Sequence, residues 1–190
     1  MMTVSGTTTL IIPTYNARDN LEACVNSIRS HTDVPYEMII IDNGTNDGTE
    51  EYCRKERLTM VSLPWKHTFH SACNSGLKLS TGDNLLILKD DVLVSSHWLS
   101  DMLQCLYSGD DIGMVRPTLA PDTEGQIKDP TVCILFKRGL LQKVGFLQPS
   151  AVYANHVFDD YCSRASDAGY RSIVAEHVTL NPNLALLRFA

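Results

Sequence analysis

Leu85-Leu86-Ile87-Leu88-Lys89-Asp90-Asp91-Val92-Leu93-Val94 is the stretch on which the fold turns. Its first four residues are apolar without alternation, which reads as a strand covered on both faces. Lys89, Asp90 and Asp91 stand where that strand leaves the core. In open α/β sheets, ligands bind at the carboxyl ends of strands. A solvated turn would place three charges there equally well, so the surroundings have to decide.

Two similar runs precede it. Thr9-Leu10-Ile11-Ile12-Pro13 is a short buried strand closed by proline, and Met38-Ile39-Ile40-Ile41 is another that ends at Asp42-Asn43-Gly44. Between them Leu21, Cys24, Val25 and Ile28 keep i, i+3, i+4, i+7 spacing, one face of a helix that Asn16 or Asp19 can cap. Thr45 to Thr49 is turn chemistry, Glu50 and Glu51 suit a helix start, and Leu58 to Leu63 is a weaker strand. Phe69, Ala72, Cys73, Gly76 and Leu77 restore helical spacing up to Thr81-Gly82-Asp83.

Beyond the opening stretch, Trp98, Met102, Cys105 and Leu106 mark a helix and Ile112 to Val115 a strand. Thr118 to Pro130 reads as a loop, Thr131 to Phe136 as a strand, and Arg138 to Val144 as a helix closed by Gly145. Gln148 to His156 reads as a loop, Asp159 to Ala168 as a helix closed by Gly169, and Ser172 to Ala175 as a strand. This alternation predicts an α/β fold: a mostly parallel, doubly wound sheet flanked by helices, one domain over residues 1–190.

Composition narrows the classes of partner. The net charge of −6 excludes the basic excess of a nucleic-acid or membrane-surface binder. The six cysteines form no C-x-x-C pair, and a chain this apolar needs no disulfide staples. Buried thiols in a reducing compartment are expected. Met1 to Thr9 has neither a basic nor an apolar signal region, and no run is long enough to span a membrane. The expectation is a soluble cytoplasmic protein without a transmembrane segment.

The turn after the first strand, Pro13-Thr14-Tyr15-Asn16, is not a glycine-rich dinucleotide fingerprint, and no P-loop occurs. Yet three strands end in polar groups: Thr14 to Asn16, Asp42 to Asn43, and Lys89 to Asp91. In a parallel sheet these ends share one rim, able to offer hydrogen bonds to a base and ribose and carboxylates to a metal. His67 and His70 lie near that rim as capping or packing residues, Trp98 fits a core stripe, and Arg164 and Arg171 are expected to pair with Asp159, Asp160 or Asp167.

From about Thr8 to Val178 the chain resembles the inverting family-2 glycosyltransferases with the GT-A fold. The resemblance rests on Ile11 to Asn16, Ile41 to Thr49, Phe69 to Gly76, Gly82 to Val94, Asp159 to Arg164 and Ala168 to Arg171, in that order and spacing. It implies a nucleotide-diphospho-sugar donor bound by residues 8–117 and an acceptor hydroxyl bound by residues 118–190. Thr14, Tyr15 and Asp42 would contact the nucleobase, with Asn16 and Asn43 beside them. Asn74 would line the donor pocket, and Lys89 and Asp90 would face the diphosphate. Asp91 would hold Mg²⁺ or Mn²⁺, and Asp159 or Asp160 would supply the general base. The acceptor would be a sugar, a lipid-linked or a protein hydroxyl, as in polysaccharide biosynthesis.

Three positions depart from that pattern. Lys89 stands where the acidic triplet begins with Asp or Asn. If the chain stays extended, residues 89 and 91 face the same side, and Lys89 then takes over part of the metal's role. Phe158 stands where the base is expected, one residue before Asp159. Asn181 replaces a histidine metal ligand, and His177, four residues early, reads as a surface or packing residue. A catalytically degenerate nucleotide-sugar-binding module or partner subunit is the alternative these departures favour. The short acceptor half also leaves room for a homo-oligomer.

Overall fold

The computed structural model describes residues 6–121, 132–149 and 157–182. In chain order the elements are β1 (Thr8–Thr14), α1 (Arg18–His31), β2 (Tyr36–Asp42), α2 (Thr49–Lys55), β3 (Thr59–Ser62), α3 (Phe69–Leu79) and β4 (Asn84–Leu88). There follow β5 (Val92–Leu93), α4 (Trp98–Leu106), β6 (Ile112–Leu119), β7 (Cys133–Lys137), α5 (Arg138–Val144), α6 (Val157–Asp167) and β8 (Arg171–Pro182). The sheet runs β3-β2-β1-β4-β7-β6-β8-β5.

The opening stretch supplies β4 near the middle of this sheet and β5 at its end, and the uninterrupted apolar run of β4 has a direct cause. Leu86 and Leu88 enter one core with Leu10, Ile12 and Ile40, against Leu21, Val25 and Ile28 of α1 and Trp98 and Met102 of α4. Leu85 and Ile87 enter the other, with Ile11, Ile41 and Phe136, against Ala72 and Leu77 of α3 and Tyr161 of α6. Side chains alternate along a strand, so a strand between two helix layers has no polar face to show. Trp98 is fully buried and its indole N–H donates to Thr32 Oγ1 at 3.0 Å, as the core-stripe reading expects.

The block β3-β2-β1-β4 is parallel throughout. Past β4 the direction changes: β7 pairs antiparallel with both β4 and β6, and β5 pairs antiparallel with β8. Only β6 and β8 restore a parallel pair there. The strand–helix alternation sets the first block but does not encode these reversals.

Other boundaries differ locally. β6 runs on to Leu119 and β8 to Pro182, because a register shift between Pro117 and Thr118 lets the pair continue past the irregularity. Most of the 118–130 loop, and residues 150–156 of the 148–156 loop, lie outside the described residues. Neither Asn16 nor Asp19 caps α1. Ala17 occupies the N-cap, and the Arg18 N–H donates to Asp47 Oδ2 at 2.9 Å from the next connection. The other oxygen, Oδ1, accepts from the Thr49 N–H and hydroxyl, so one carboxylate caps both α1 and α2. Arg171 pairs with Asp111 at 2.5 Å, outside the expected Asp159, Asp160 and Asp167.

At the amino-terminal rim of the sheet, the Glu37 carboxylate gathers the Thr9 and Thr81 hydroxyls and the Thr81 and Gly82 N–H groups. Burial opposes the charge, but these bonds together hold the carboxyl below its ordinary value. A depressed carboxyl contributes stability above its unfolded pKa and loses it as pH falls through the folded value. Glu37→Gln is therefore expected to lose about 1–3 kcal/mol at pH 7 in denaturant titrations. The gap to wild type should close below about pH 4; a gap constant from pH 7 to 3 contradicts the charged role. Among the described residues, no helix is long and apolar enough to cross a membrane.

Candidate functional site

The site is built by three adjacent strand ends. Thr14 and Asp42 are in register at the ends of β1 and β2, and the Asn43 N–H extends the ladder onto Thr14 O at 2.9 Å. β1 also pairs with β4, which brings Lys89 and Asp90 to the same rim. A cleft of about 270 Å³ opens there, walled by Thr14, Tyr15, Asn43, Lys89 and Asp90, with Lys66 and His67 from the connection after β3 and Phe69 from the start of α3.

The backbone does not stay extended through the charged triplet. The Lys89 N–H still donates to Val132 O at 2.9 Å, and the chain then turns at Asp90 and Asp91 before β5. Alternation of sides consequently fails: Lys89 and Asp90, adjacent in sequence, both wall the cleft, whereas Asp91 does not. The Lys89 ammonium lies 5.9 Å from the centre of the Phe69 ring.

The two carboxylates differ in setting. Burial pushes the Asp90 carboxyl up to about 6; the Thr14 hydroxyl opposes the rise and the neighbouring Asp91 charge adds to it. One oxygen of Asp91 is buried with no hydrogen-bond partner. Buried polar atoms are normally paired, and an orphaned carboxylate oxygen beside a second carboxylate suits a cation. Among the described residues no three His, Cys, Asp or Glu side chains converge as a metal cage. The donor set present is two adjacent carboxylates, the kind that holds Mg²⁺ or Mn²⁺ together with substrate phosphates and waters. Asn181 is in register with Leu93 on β5, two residues past Asp91, while His177 is exposed further back on β8.

The remaining candidates have other commitments. Asp42 is 5% exposed, with Oδ1 accepting from the Thr45 N–H at 2.9 Å; it holds the turn after β2. Asn16, at φ 48°, accepts from the Asn46 N–H. Asn74 spends its amide on Leu147, donating to the carbonyl at 2.8 Å and accepting from the N–H at 3.0 Å, so it fixes the chain after α5. None of these three walls the cleft.

On α6, Asp160 pairs with Arg164 at 2.8 Å, and Arg164 also donates to the Val144 and Phe146 carbonyls. That carboxylate belongs to a structural tie. Asp159 is exposed on the first turn of α6, and Phe158 is buried edge-on to Phe69 at 6.2 Å. His67 stacks on Trp65 with centroids 5.5 Å apart, and the Asn43 side chain clamps its backbone at 2.8 and 3.0 Å. Of the cleft walls, Phe69 was read only as a helix-face residue opening the Phe69 to Gly76 motif, and Lys66 was not singled out by sequence reasoning. The signal available for Lys66 was its place in the loop that leads from β3 back to the strand-end rim.

Comparison with known proteins agrees with this geometry. The sequence pattern of glycosyl transferase family 2 matches residues 9–160. Glycosyltransferase AglE of Haloferax volcanii is 26% identical over 202 aligned positions, which cover 89% of this chain and 64% of AglE. The solved structure of the mannosyltransferase PcManGT from Pyrobaculum calidifontis, in complex with GDP-Man and Mn²⁺, superposes with a TM-score of 0.79 at 24% identity, over 93% of this chain and 56% of that one. TarS 1-349 of S. aureus, in complex with UDP-GlcNAc, gives 0.74 at 15% identity, over 92% and 58%. The chain thus spans just over half the length of these solved structures and under two thirds of AglE. It has the GT-A fold, and it belongs to glycosyl transferase family 2.

Proposed function

We propose that this chain transfers a sugar from a nucleotide-diphospho-sugar to an acceptor hydroxyl, with inversion at the anomeric carbon. The observation that carries the reading is the convergence of three polar strand ends on one cleft, with the orphaned oxygen of Asp91 next in sequence to the wall residue Asp90. Residues 8–117 hold the donor and 118–190 the acceptor, a sugar, lipid-linked or protein hydroxyl in polysaccharide assembly. Thr14, Tyr15 and Asn43 take the nucleoside; Asn16, Asp42 and Asn74 support the walls. The GDP-Man and Mn²⁺ of the mannosyltransferase structure, and the UDP-GlcNAc of TarS, support a donor of this class.

Asp91, with Asp90, would hold Mg²⁺ or Mn²⁺, which supplies positive charge for the departing diphosphate. Lys89, on the cleft wall, brings a cation of the chain's own to the same charge. Asp159 or Asp160 on α6 supplies the general base; the Asp160 carboxylate is also tied to Arg164. A positioned carboxylate base contributes roughly 10²–10⁴-fold. We place the reaction in the cytoplasm, a reducing compartment that suits the free thiols of Cys24, Cys73 and Cys133, which burial pushes up.

A panel of nucleotide-sugars, tested by thermal shift and by release of nucleoside diphosphate, with and without Mn²⁺, checks this at pH 7.5. One donor is expected to raise the melting temperature by mass action and to turn over with acceptor. Lys89→Asp is expected to make that turnover more strongly dependent on Mn²⁺. A donor that binds without any sugar release over hours contradicts the enzymatic reading.

A further inference from the structure

The cleft holds a cation that the roles assigned above leave unused. The Lys66 Nζ stands 3.8 Å from the centre of the Tyr15 ring. Both residues are exposed and both wall the cleft shared with Thr14, Lys89 and Asp90. Tyr15 is 40% exposed, so its phenol is a surface of the cleft and not core packing. The backbone next to Lys66 is fixed, since Asn43 brackets the N–H and carbonyl of His67. The flexible four-carbon stem of Lys66 therefore pivots from a fixed point at the cleft's edge.

Each member of this pair has a better partner elsewhere. An ammonium on an exposed aromatic face is held weakly. Against a phosphate the same group makes a charge-assisted hydrogen bond, about twice as strong as a neutral one. The phenol face stacks well on any planar base. A ligand carrying both a base and a phosphate satisfies both at once.

We propose that Lys66 and Tyr15 are an exchange pair that selects the donor's nucleoside diphosphate: the base takes the Tyr15 face, and the displaced Lys66 ammonium moves onto the diphosphate. Lys66 is then a specificity-determining residue that couples recognition of the base to recognition of the phosphates. This rests on the donor-site reading above. A nucleoside alone must displace Lys66 without offering it a partner. Pyrophosphate alone can attract Lys66 but leaves the ring face bare.

Isothermal titration of the whole chain with UDP, GDP, ADP, CDP and dTDP, the corresponding nucleosides and pyrophosphate, all with Mn²⁺, tests the exchange. Lys66→Met keeps an unbranched apolar stem and, at an exposed position, is expected to leave the melting temperature unchanged. It should weaken the preferred nucleoside diphosphate about tenfold or more, and leave its nucleoside within twofold or slightly tighter. Lys66→Arg should recover part of the diphosphate affinity. Diphosphate affinity within twofold of wild type in Lys66→Met overturns the exchange and leaves the donor site standing. Equal losses for nucleoside and diphosphate overturn it as well. Wild-type protein that binds none of the five diphosphates overturns the donor-site reading and the exchange with it.

Discussion

Asp91→Ala is expected to lower sugar transfer by roughly 10²–10³-fold and to raise the melting temperature. The first effect follows if this carboxylate holds the cation that offsets several kcal/mol of charge on the departing diphosphate. The second follows from its surroundings. One Asp91 oxygen is buried without a partner, and the Asp91 charge adds to what already pushes Asp90 up. An unsatisfied buried acceptor costs about 1–3 kcal/mol, and removing it also relieves the like-charge contact. The void left by the shorter side chain offsets part of the gain. A net of about 1 kcal/mol corresponds to a rise of about 2–4 °C for a domain of this size. Calorimetry and an initial-rate assay on the same preparation check both halves. Full activity together with a lower melting temperature would mark Asp91 as a structural residue and remove it from the site.

Gly82→Ala is expected to be the most damaging single methyl in the first half of the sheet. A Cβ at Gly82 would stand 2.5 Å from Thr7 O and 2.8 Å from Thr9 N, and neither backbone atom can swing away. The Gly82 N–H also donates to Thr9 Oγ1 and to Glu37, and its carbonyl accepts from Arg138 Nε at 2.5 Å. Moving the chain aside breaks the junction that joins β1, β2, β4 and α5. Overpacking and loss of these bonds together should exceed about 3 kcal/mol. Gly139→Ala is the matching control. It lies in α5 with nothing within 4 Å of the added carbon, so it should gain about 0.5–1 kcal/mol from helix propensity. Urea unfolding of the two variants side by side is the measurement; equal effects would refute the steric account.

What the sequence disclosed follows from which interactions are local. Leu85 to Leu88, Ile11 to Pro13 and Met38 to Ile41 are legible because a strand between two helix layers must be apolar at every position. The rim was legible for the same reason: Thr14, Asp42 and Lys89 end buried runs, and parallel order lines those ends up. The side to which Asp91 turns was not legible, because a turn at residues 90 and 91 cancels the alternation of an extended chain. Nor was the capping of α1 by Asp47, a contact made 29 residues away. Asn74 entered as a pocket residue only through the family resemblance, and its bond to Leu147, 73 residues on, carries no local signal. Lys66 escaped notice because a lone lysine in a polar loop has no periodicity to announce it.

The central position of β4 has a consequence for how the chain is made. One edge of β4 meets β1, which is already synthesised, but the other edge waits for β7. About 45 residues separate the end of β4 from Cys133, so a ribosome adding 5–20 residues per second leaves that edge open for roughly two to nine seconds. During that interval five residues destined for full burial present unpaired N–H and carbonyl groups to every neighbouring chain on the polysome. Slow codons between residues 89 and 132 would lengthen the exposure, and should raise the insoluble fraction without altering one amino acid of the product.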